Sequence, residues 1–497
     1  MNSQITSQPD DAPRDSLSVC ARLRAAATAP VSIAPFVYFR ILFGTVMLWE
    51  VWRYFEKGWI ERYFIRPEFF FKYYGFEWVH PLPGPLMYVH FAVLGLLAVC
   101  ITLGLYYRIS ATLFFFGFTY VFLLDQTNYL NHFYLVSLLS FLLICLPVHR
   151  AGSLDANRKP AISAQMTPAW MLWLLRFQLA IPYVYGGIAK INADWLRGEP
   201  IRMWLAERTD FPVIGGYFTQ EWVVYLFSYG GLVFDLVIVP MLLCRRTRWI
   251  GVAWAAAFHL MNSQLFHIGI FPWLMLLATP VFLPPHWLQS VLRSLGILSS
   301  PHAGEGHAPV RTIHRGWIFA ALLFAAVQMV VPFRHWLYPG DPSWNEEGHR
   351  FSWQMKLRTK KTRGNFVVFD RQSDQTWYAN PRDFLTRRQA EKMPRRPDMI
   401  LQFSHFLETV WQQAGYQDVE VRASIEASLN GRLYQPLIDP ATDLSQQPRT
   451  LAHCDWIMPL KVPMRMGSRR ALVTRSQPRA GAPLPEIAKE LPHVVDE

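Results

Sequence analysis

The chain has 497 residues, of which 52% are hydrophobic, 15% aromatic and only 17% charged. The apolar residues fall in long blocks, which excludes a string of soluble domains and indicates a multispanning membrane protein with a polar appendix. The formal charge of +12 is scattered through loops and the C-terminal third without a nucleic-acid motif, so no nucleic-acid partner is expected.

Residues 1–32 are polar, and the first apolar run is long enough to be an anchor instead of a cleaved signal. A spanning helix needs ~20 mostly apolar residues. Such segments lie near 33–53, 84–106, 109–124, 133–148, 168–189, 222–244, 249–261, 267–285 and 315–333. The third, fourth and seventh are short or blurred, which gives about 8–9 helices in a transmembrane domain over 33–333.

Basic residues orient these spans. One alternating set of connections holds Arg108; Arg150, Arg158 and Lys159; Arg245, Arg246 and Arg248; and Arg293, Arg311 and Arg315. On the opposite side, 125–132 and 262–266 carry no Lys or Arg, although 54–83 and 190–221 do. The first set is assigned to the cytoplasm with the N-terminus, and nine helices place the C-terminal third outside.

From about 334 the pattern changes. "FSWQMKLRTK", "NFVVFD", "QTWYA" and "DVEVRASIEASL" read as strands, and "DMILQFSHFLETVWQQAG" has helical spacing. The fold expected is therefore an α-helical multispanning bundle with a C-terminal extracytoplasmic, strand-rich α+β domain over 334–463. Residues 464–497 have the composition of a disordered tail. No internal repeat is visible, against a transporter built from inverted halves.

The five cysteines, Cys20, Cys100, Cys145, Cys244 and Cys454, form no CxxC, and three lie in apolar runs. Neither a disulfide framework nor a thiol relay is indicated. No N-x-S/T sequon occurs, in keeping with a bacterial chain and an inner-membrane location.

Three polar stretches share one membrane depth on the outer side: "DQTNYLNH" (125–132), "AKINADW" (189–195) and "FHLMNSQLFHIG" (258–269). Ionisable groups at such depth mark functional sites by default. Lys190 is either an interfacial anchor whose ammonium snorkels to water or a desolvated amine able to act as a base. Asp194, one turn on, is a candidate partner that would favour the charged form. His132 reads as either an interfacial ring or a catalyst. His259 and His267 lack HExxH or a dense histidine box, so no metal is expected. Arg40, Glu50, Arg176 and Asp235 lie inside spans, where helix-to-helix pairing is the plain explanation.

The motifs "GLYYRIS", "LDQTNYLNHFYL", "AKINADWLRG", "HLMNSQLFHIGIF", "FSWQMKLR" and "SLNGRLYQPLIDP" occur in order between about 33 and 463. Together they resemble vitamin K-dependent gamma-glutamyl carboxylases and the bacterial HTTM-domain proteins related to them. The resemblance implies an enzyme that couples O2-dependent oxidation of reduced vitamin K to the epoxide with CO2 addition to glutamate in a peptide or protein. The family's "K-L-D-A-D-W" lysine falls on Lys190, and its "N-N-H-S-Y-L" histidine on His132, after Asn131. The same likeness marks Asp194, Trp195, His259, Met261, Asn262, Gln264, Phe266, Trp353 and Met355 as candidates for cofactor or substrate binding. Trp353 and Met355 are candidates to close the pocket; ordinary strand core is the other reading.

Three departures stand out. The family's disulfide from an early outer loop has no counterpart, because 54–83 contains no cysteine. The animal enzymes' double lysine is here Ala189 followed by Lys190, and the C-terminal region is shorter. The chemistry is consistent with the residues: glutamate γ-hydrogens are too weakly acidic for a side-chain base, so cofactor oxidation must make a stronger one in a dry pocket. A quinol oxidase without carboxylation and a non-enzymatic membrane binding protein remain as alternatives.

Overall fold

The computed structural model describes residues 19–266, 268–298 and 315–464. His267, Arg311 and the stretch 465–497, which holds nearly all of the expected tail, lie outside the described residues. Every one of the nine apolar segments contains a helix. Five helices are long and apolar enough to cross a membrane: Ala34–Glu56, Leu86–Leu103, Tyr107–Leu124, Glu221–Leu243 and Gly316–Leu337. Asn131–Cys145 and Phe271–Phe282 are apolar but shorter, while Ala169–Lys190 and Arg248–Leu265 carry too many polar groups for that class.

Local signals set the ends. Pro35 lies in the first turn of its helix, where a missing N–H costs nothing. Leu86–Leu103 stops at Gly104, which is left-handed (φ 66°) and returns its N–H to the carbonyls of Cys100 and Ile101. The bundle core is continuous from Phe36 and Phe39 through Leu135, Leu139 and Leu179 to Phe234 and Leu274.

The C-terminal part holds an antiparallel sheet with Lys360–Asp370 and Val419–Leu429 at its centre, flanked by Gln375–Ala379 and Gln435–Pro436. Helix Pro397–Gln413 covers one face, with Phe403 edge-on to Phe366 at 4.9 Å and Trp411 edge-on to Trp377 at 5.9 Å. The expected strand at "FSWQMKLRTK" is not one before Lys360. Phe351 (φ 63°), Trp353 (φ 55°) and Lys356 (φ 50°) are left-handed, which breaks the extended repeat.

Outer loops of the bundle dock on this domain. Phe71 is fully buried in the domain's own core, and Phe69 packs on Phe406 at 4.6 Å. Lys72 N–H donates to Gln402 Oε1 (2.8 Å), and Arg449 pairs with Glu77 (2.9 Å). This loop is thus tied by packing and hydrogen bonds, and Cys100, Cys145, Cys244 and Cys454 are free thiols.

Candidate active site

Lys190 ends its helix on the face shared by Tyr183 and Gly186, which recur at helical spacing. Asn192 then turns the chain. Its amide donates to Ala189 O (2.8 Å), and its oxygen caps the Ala193–Leu196 turn by accepting from Trp195 N–H (2.9 Å). Trp195 is anchored in turn by Nε1 donating to Ser228 O (2.9 Å), and Lys190 Nζ sits 5.3 Å from its ring centre.

The partner of Lys190 is Asp235, not Asp194. Nζ donates to Asp235 Oδ2 and to Gly186 O (3.3 Å), and both charged residues are buried. Glycine permits this approach. A Cβ on Gly187 would lie 2.6 Å from Leu236 Cδ2, and one on Gly186 would lie 3.1 Å from Asp235 Oδ2. Asp194 faces the other way and takes Arg432 through both oxygens (2.6 and 2.7 Å) and the Asn430 amide (2.8 Å). Those two residues flank the left-handed Gly431 (φ 80°) in the "SLNGRLYQP" turn.

Of the other intraspan charges, only Asp235 makes the helix-to-helix ion pair that sequence suggested for all four. Arg40 donates to Ile101 O (3.1 Å) and Thr102 O (2.5 Å), Arg176 to Val281 O (2.9 Å) and Leu283 O (2.8 Å), and Glu50 pairs within its own helix with Arg53. Backbone carbonyls freed at helix ends supply the acceptors for the two arginines.

His132 lies in the first turn of Asn131–Cys145, with its ring stacked on Phe271 (6.1 Å between centres). Gly269 (φ 64°) lies beside it: a Cβ there would make ordinary contact, 3.5 Å from Nε2 and 3.8 Å from Arg53 Nη1, so the left-handed backbone is what favours glycine. Asn131 Oδ1 accepts from Tyr129 OH (2.9 Å), which itself accepts from Phe351 N–H (2.7 Å). His259, on Arg248–Leu265, is buried and hydrogen-bonds Tyr183 OH at 2.7 Å.

These side chains share one cavity of about 1370 Å³. Lys190, Asp235, His132, Asn131, Trp195 and His259 line it, as do Met261, Asn262, Phe266 and Met355. Asp194, Gln264 and Trp353 are not on its wall: Gln264 points outward, and Trp353 is buried against Tyr134 with ring centres 5.1 Å apart. Trp353 is therefore core, although loop and not strand, while Met355 reaches the cavity. Leu226, exposed on the outer surface of its helix, also lines the wall, so the apolar end communicates with the surface a bilayer would cover. The opposite end, under the C-terminal domain, is strongly cationic. There burial would raise the Glu346 carboxyl, but Arg358 and Lys360 outweigh it and hold it well below the usual range. Burial pushes Lys360 down to about 8.

The HTTM domain model matches residues 28–287, and the lumenal domain model of vitamin K-dependent gamma-carboxylase matches 314–462. The chain belongs to the vitamin K-dependent gamma-carboxylase family. No solved structure matches it. With its apolar helices, this membership makes it a membrane protein with an extracytoplasmic domain, and implies vitamin K and a glutamate-containing substrate. The cavity fits a quinone: Trp195, Phe227, Trp254, Phe258 and Phe271 supply flat apolar walls around the Lys190–Asp235 pair. Among the described residues no group of three His, Cys, Asp or Glu is placed to hold a metal.

Sequence reasoning missed Arg53 and Tyr183, and took Asp235 for a structural charge. Asp235 was visible as an acid in an apolar span; its partner, 45 residues away, was not.

Proposed function

We propose that this gamma-carboxylase family member is a vitamin K-dependent gamma-glutamyl carboxylase, with Lys190 and His132 in separate roles. The observation that carries the reading is one cavity joining a buried Lys190–Asp235 pair, His132, an apolar end and a cationic end. Reduced vitamin K, oxidised to the epoxide with O2, supplies a base stronger than any side chain.

The chain's own groups prepare and confine that chemistry. Asp235 and Gly186 O orient Lys190 Nζ, which as the proposed base takes a proton from a hydroxyl seated against Trp195. The resulting ammonium stays beside the oxygen that gave the proton up. His132 faces the substrate side, where its ring holds or returns a proton. The positive end of its helix favours the carboxylate being formed. The aromatic walls exclude water that would quench a strong base.

The test is purified protein in lipid nanodiscs with reduced vitamin K and a glutamyl peptide, following labelled CO2 uptake and epoxide formation together. Lys190→Ala should lose both, with partial rescue by a small amine. His132→Ala should lose carboxylation more severely than epoxidation, by roughly the 10²–10⁴-fold that a general acid–base group supplies. A folded Lys190→Ala protein that oxidises the hydroquinone at full rate refutes the first step. Epoxide without CO2 uptake in the unmodified protein leaves a quinol oxidase.

A further inference from the structure

The cationic end of the cavity contains more positive charge than its own acids can match. Glu346 takes Arg358 (2.5 Å) and Lys360 (2.7 Å), and Asp398 takes Arg350 (3.1 Å). Among the described residues no carboxylate lies within ion-pair distance of Arg388, Lys392, Arg395 or Arg396, all of which line the cavity. Three of them are positioned instead by neutral acceptors in the 126–128 turn. Arg388 Nε donates to Asn128 Oδ1 (3.0 Å), Lys392 Nζ to Thr127 O (3.3 Å) and Arg396 Nη1 to Gln126 O (3.1 Å). The nearby Asp125 accepts from Thr127 N–H (2.7 Å) and the Gln389 amide (3.0 Å), and offsets part of the charge on Arg388 and Lys392 from beyond ion-pair distance.

Clustered like charges in a partly buried wall repel one another, and burial adds to the penalty. Burial first, then Arg388, Arg396 and Arg395, push the Lys392 ammonium well below its ordinary value. An anion arriving from outside would relieve both effects. The cluster is also joined to the reactive end. The Arg388 guanidinium lies 4.7 Å over Tyr63, Tyr63 stacks on Trp59 (6.1 Å), and Arg53 lies 5.0 Å from Trp59 and beside His132.

We propose that Arg388, Lys392, Arg395 and Arg396 form a dicarboxylate subsite, which binds a malonate-type side chain of a carboxylated peptide while another glutamate occupies the reactive end. This rests on the carboxylase reading, because that reaction adds a second carboxylate to a side chain that had one. Guanidiniums take carboxylates through two parallel hydrogen bonds, so adjacent arginines suit two carboxylates on one carbon. A single carboxylate would leave most of the cluster unmatched.

The experiment is calorimetric titration of the full chain in nanodiscs with malonate, acetate and bicarbonate, and with paired peptides bearing one malonate-type or one glutamyl residue. Malonate should bind at least about tenfold more tightly than acetate or bicarbonate, since two carboxylates can engage separate guanidiniums. The malonate-type peptide should likewise bind more tightly than its glutamyl partner. Arg396→Gln and Lys392→Gln should each weaken malonate by about tenfold or more while leaving quinone affinity unchanged. If Arg396→Gln does not fold, Lys392→Gln and Arg388→Gln carry the same test. Equal affinities for malonate and acetate, tighter binding of bicarbonate, or variants that bind malonate like the parent overturn the subsite. Binding needs no turnover, so a protein that holds malonate in this way but never carboxylates refutes the enzyme reading and leaves the anion site standing.

Discussion

Arg432→Met tests whether the C-terminal domain holds the turn after Lys190 in place. Asp194 and Arg432 are 7% and 8% exposed, and Arg432 spans both carboxylate oxygens. Removing the guanidinium leaves Asp194 buried with only the Asn430 amide, at 2.8 Å. Breaking one side of such a pair typically costs about 3–5 kcal/mol, because the remaining charge stays desolvated. Every ~1.4 kcal/mol is a factor of ten, so local opening should become roughly 10²–10⁴-fold more frequent. Hydrogen exchange by mass spectrometry on nanodisc-held protein reads this directly in peptides covering 193–205 and 428–436. The Asp194→Asn/Arg432→Met double variant should recover much of the protection, since it removes the orphaned charge. Carboxylation should fall in the single variant as well, because the same turn places Trp195 against Lys190. Exchange within about threefold of the parent, less than the ~1.4 kcal/mol of a tenfold change, would refute the clamp. So would a double variant as damaged as the single.

Two further outcomes separate core from cavity and outside from inside. Trp353→Ala should destabilise by about 3–5 kcal/mol in thermal unfolding, as truncation of a buried aromatic does, whereas Met355→Ala should chiefly weaken quinone or peptide binding. An impermeant maleimide applied from outside should label a single-cysteine protein at Cys454 but not at Cys244; from the cytoplasmic side the pattern should reverse. The thiolate is the reactive species, and burial, then Glu347, push the Cys454 thiol up to about 11. Its labelling should therefore be slow at neutral pH and keep rising toward that value. Labelling of both sites from the same side would overturn the nine-helix orientation.

Most of the element pattern was legible because it follows from spacing. Each of the nine apolar blocks, read as 8–9 spans, holds a helix, and alternation at 365–370, 375–379 and 418–429 falls within the strands Lys360–Asp370, Gln375–Ala379 and Val419–Leu429. The loop at 351–359 was not legible, because its apolar residues alternate like a strand while left-handed Phe351, Trp353 and Lys356 break the extended backbone. Three of the basic residues in 54–83 and 190–221 that blurred the charge rule have local partners: Arg66 meets Glu61 at 3.6 Å, Arg202 meets Glu199 at 2.8 Å, and Lys72 donates to Val79 O. Sequence shows a charge but not its partner. That is why Asp194 read as the candidate partner of Lys190, and why nothing in the scattered C-terminal charge singled out Arg388–Arg396.

The helices that fall short of an apolar span are informative for a physical reason. Asn131–Cys145 carries His132, Ala169–Lys190 carries Lys190, and Arg248–Leu265 carries His259. Each is too short or too polar to be held by lipid alone, so each depends on neighbours that satisfy its polar groups. Tyr183 does this for His259 and Asp235 for Lys190, while Phe271 covers the His132 ring. Of the five apolar helices, Ala34–Glu56 is 72% buried and Gly316–Leu337 only 11%, whereas these three carry polar residues of the candidate site. A substitution that makes a site helix more apolar, such as His259→Leu, should therefore leave Tyr183 OH buried without its partner. It should cost about 1–3 kcal/mol despite improving hydropathy, read as thermal unfolding in nanodiscs. A gain in stability from His259→Leu would show that the bilayer, and not the site's own pairing, sets the position of these helices.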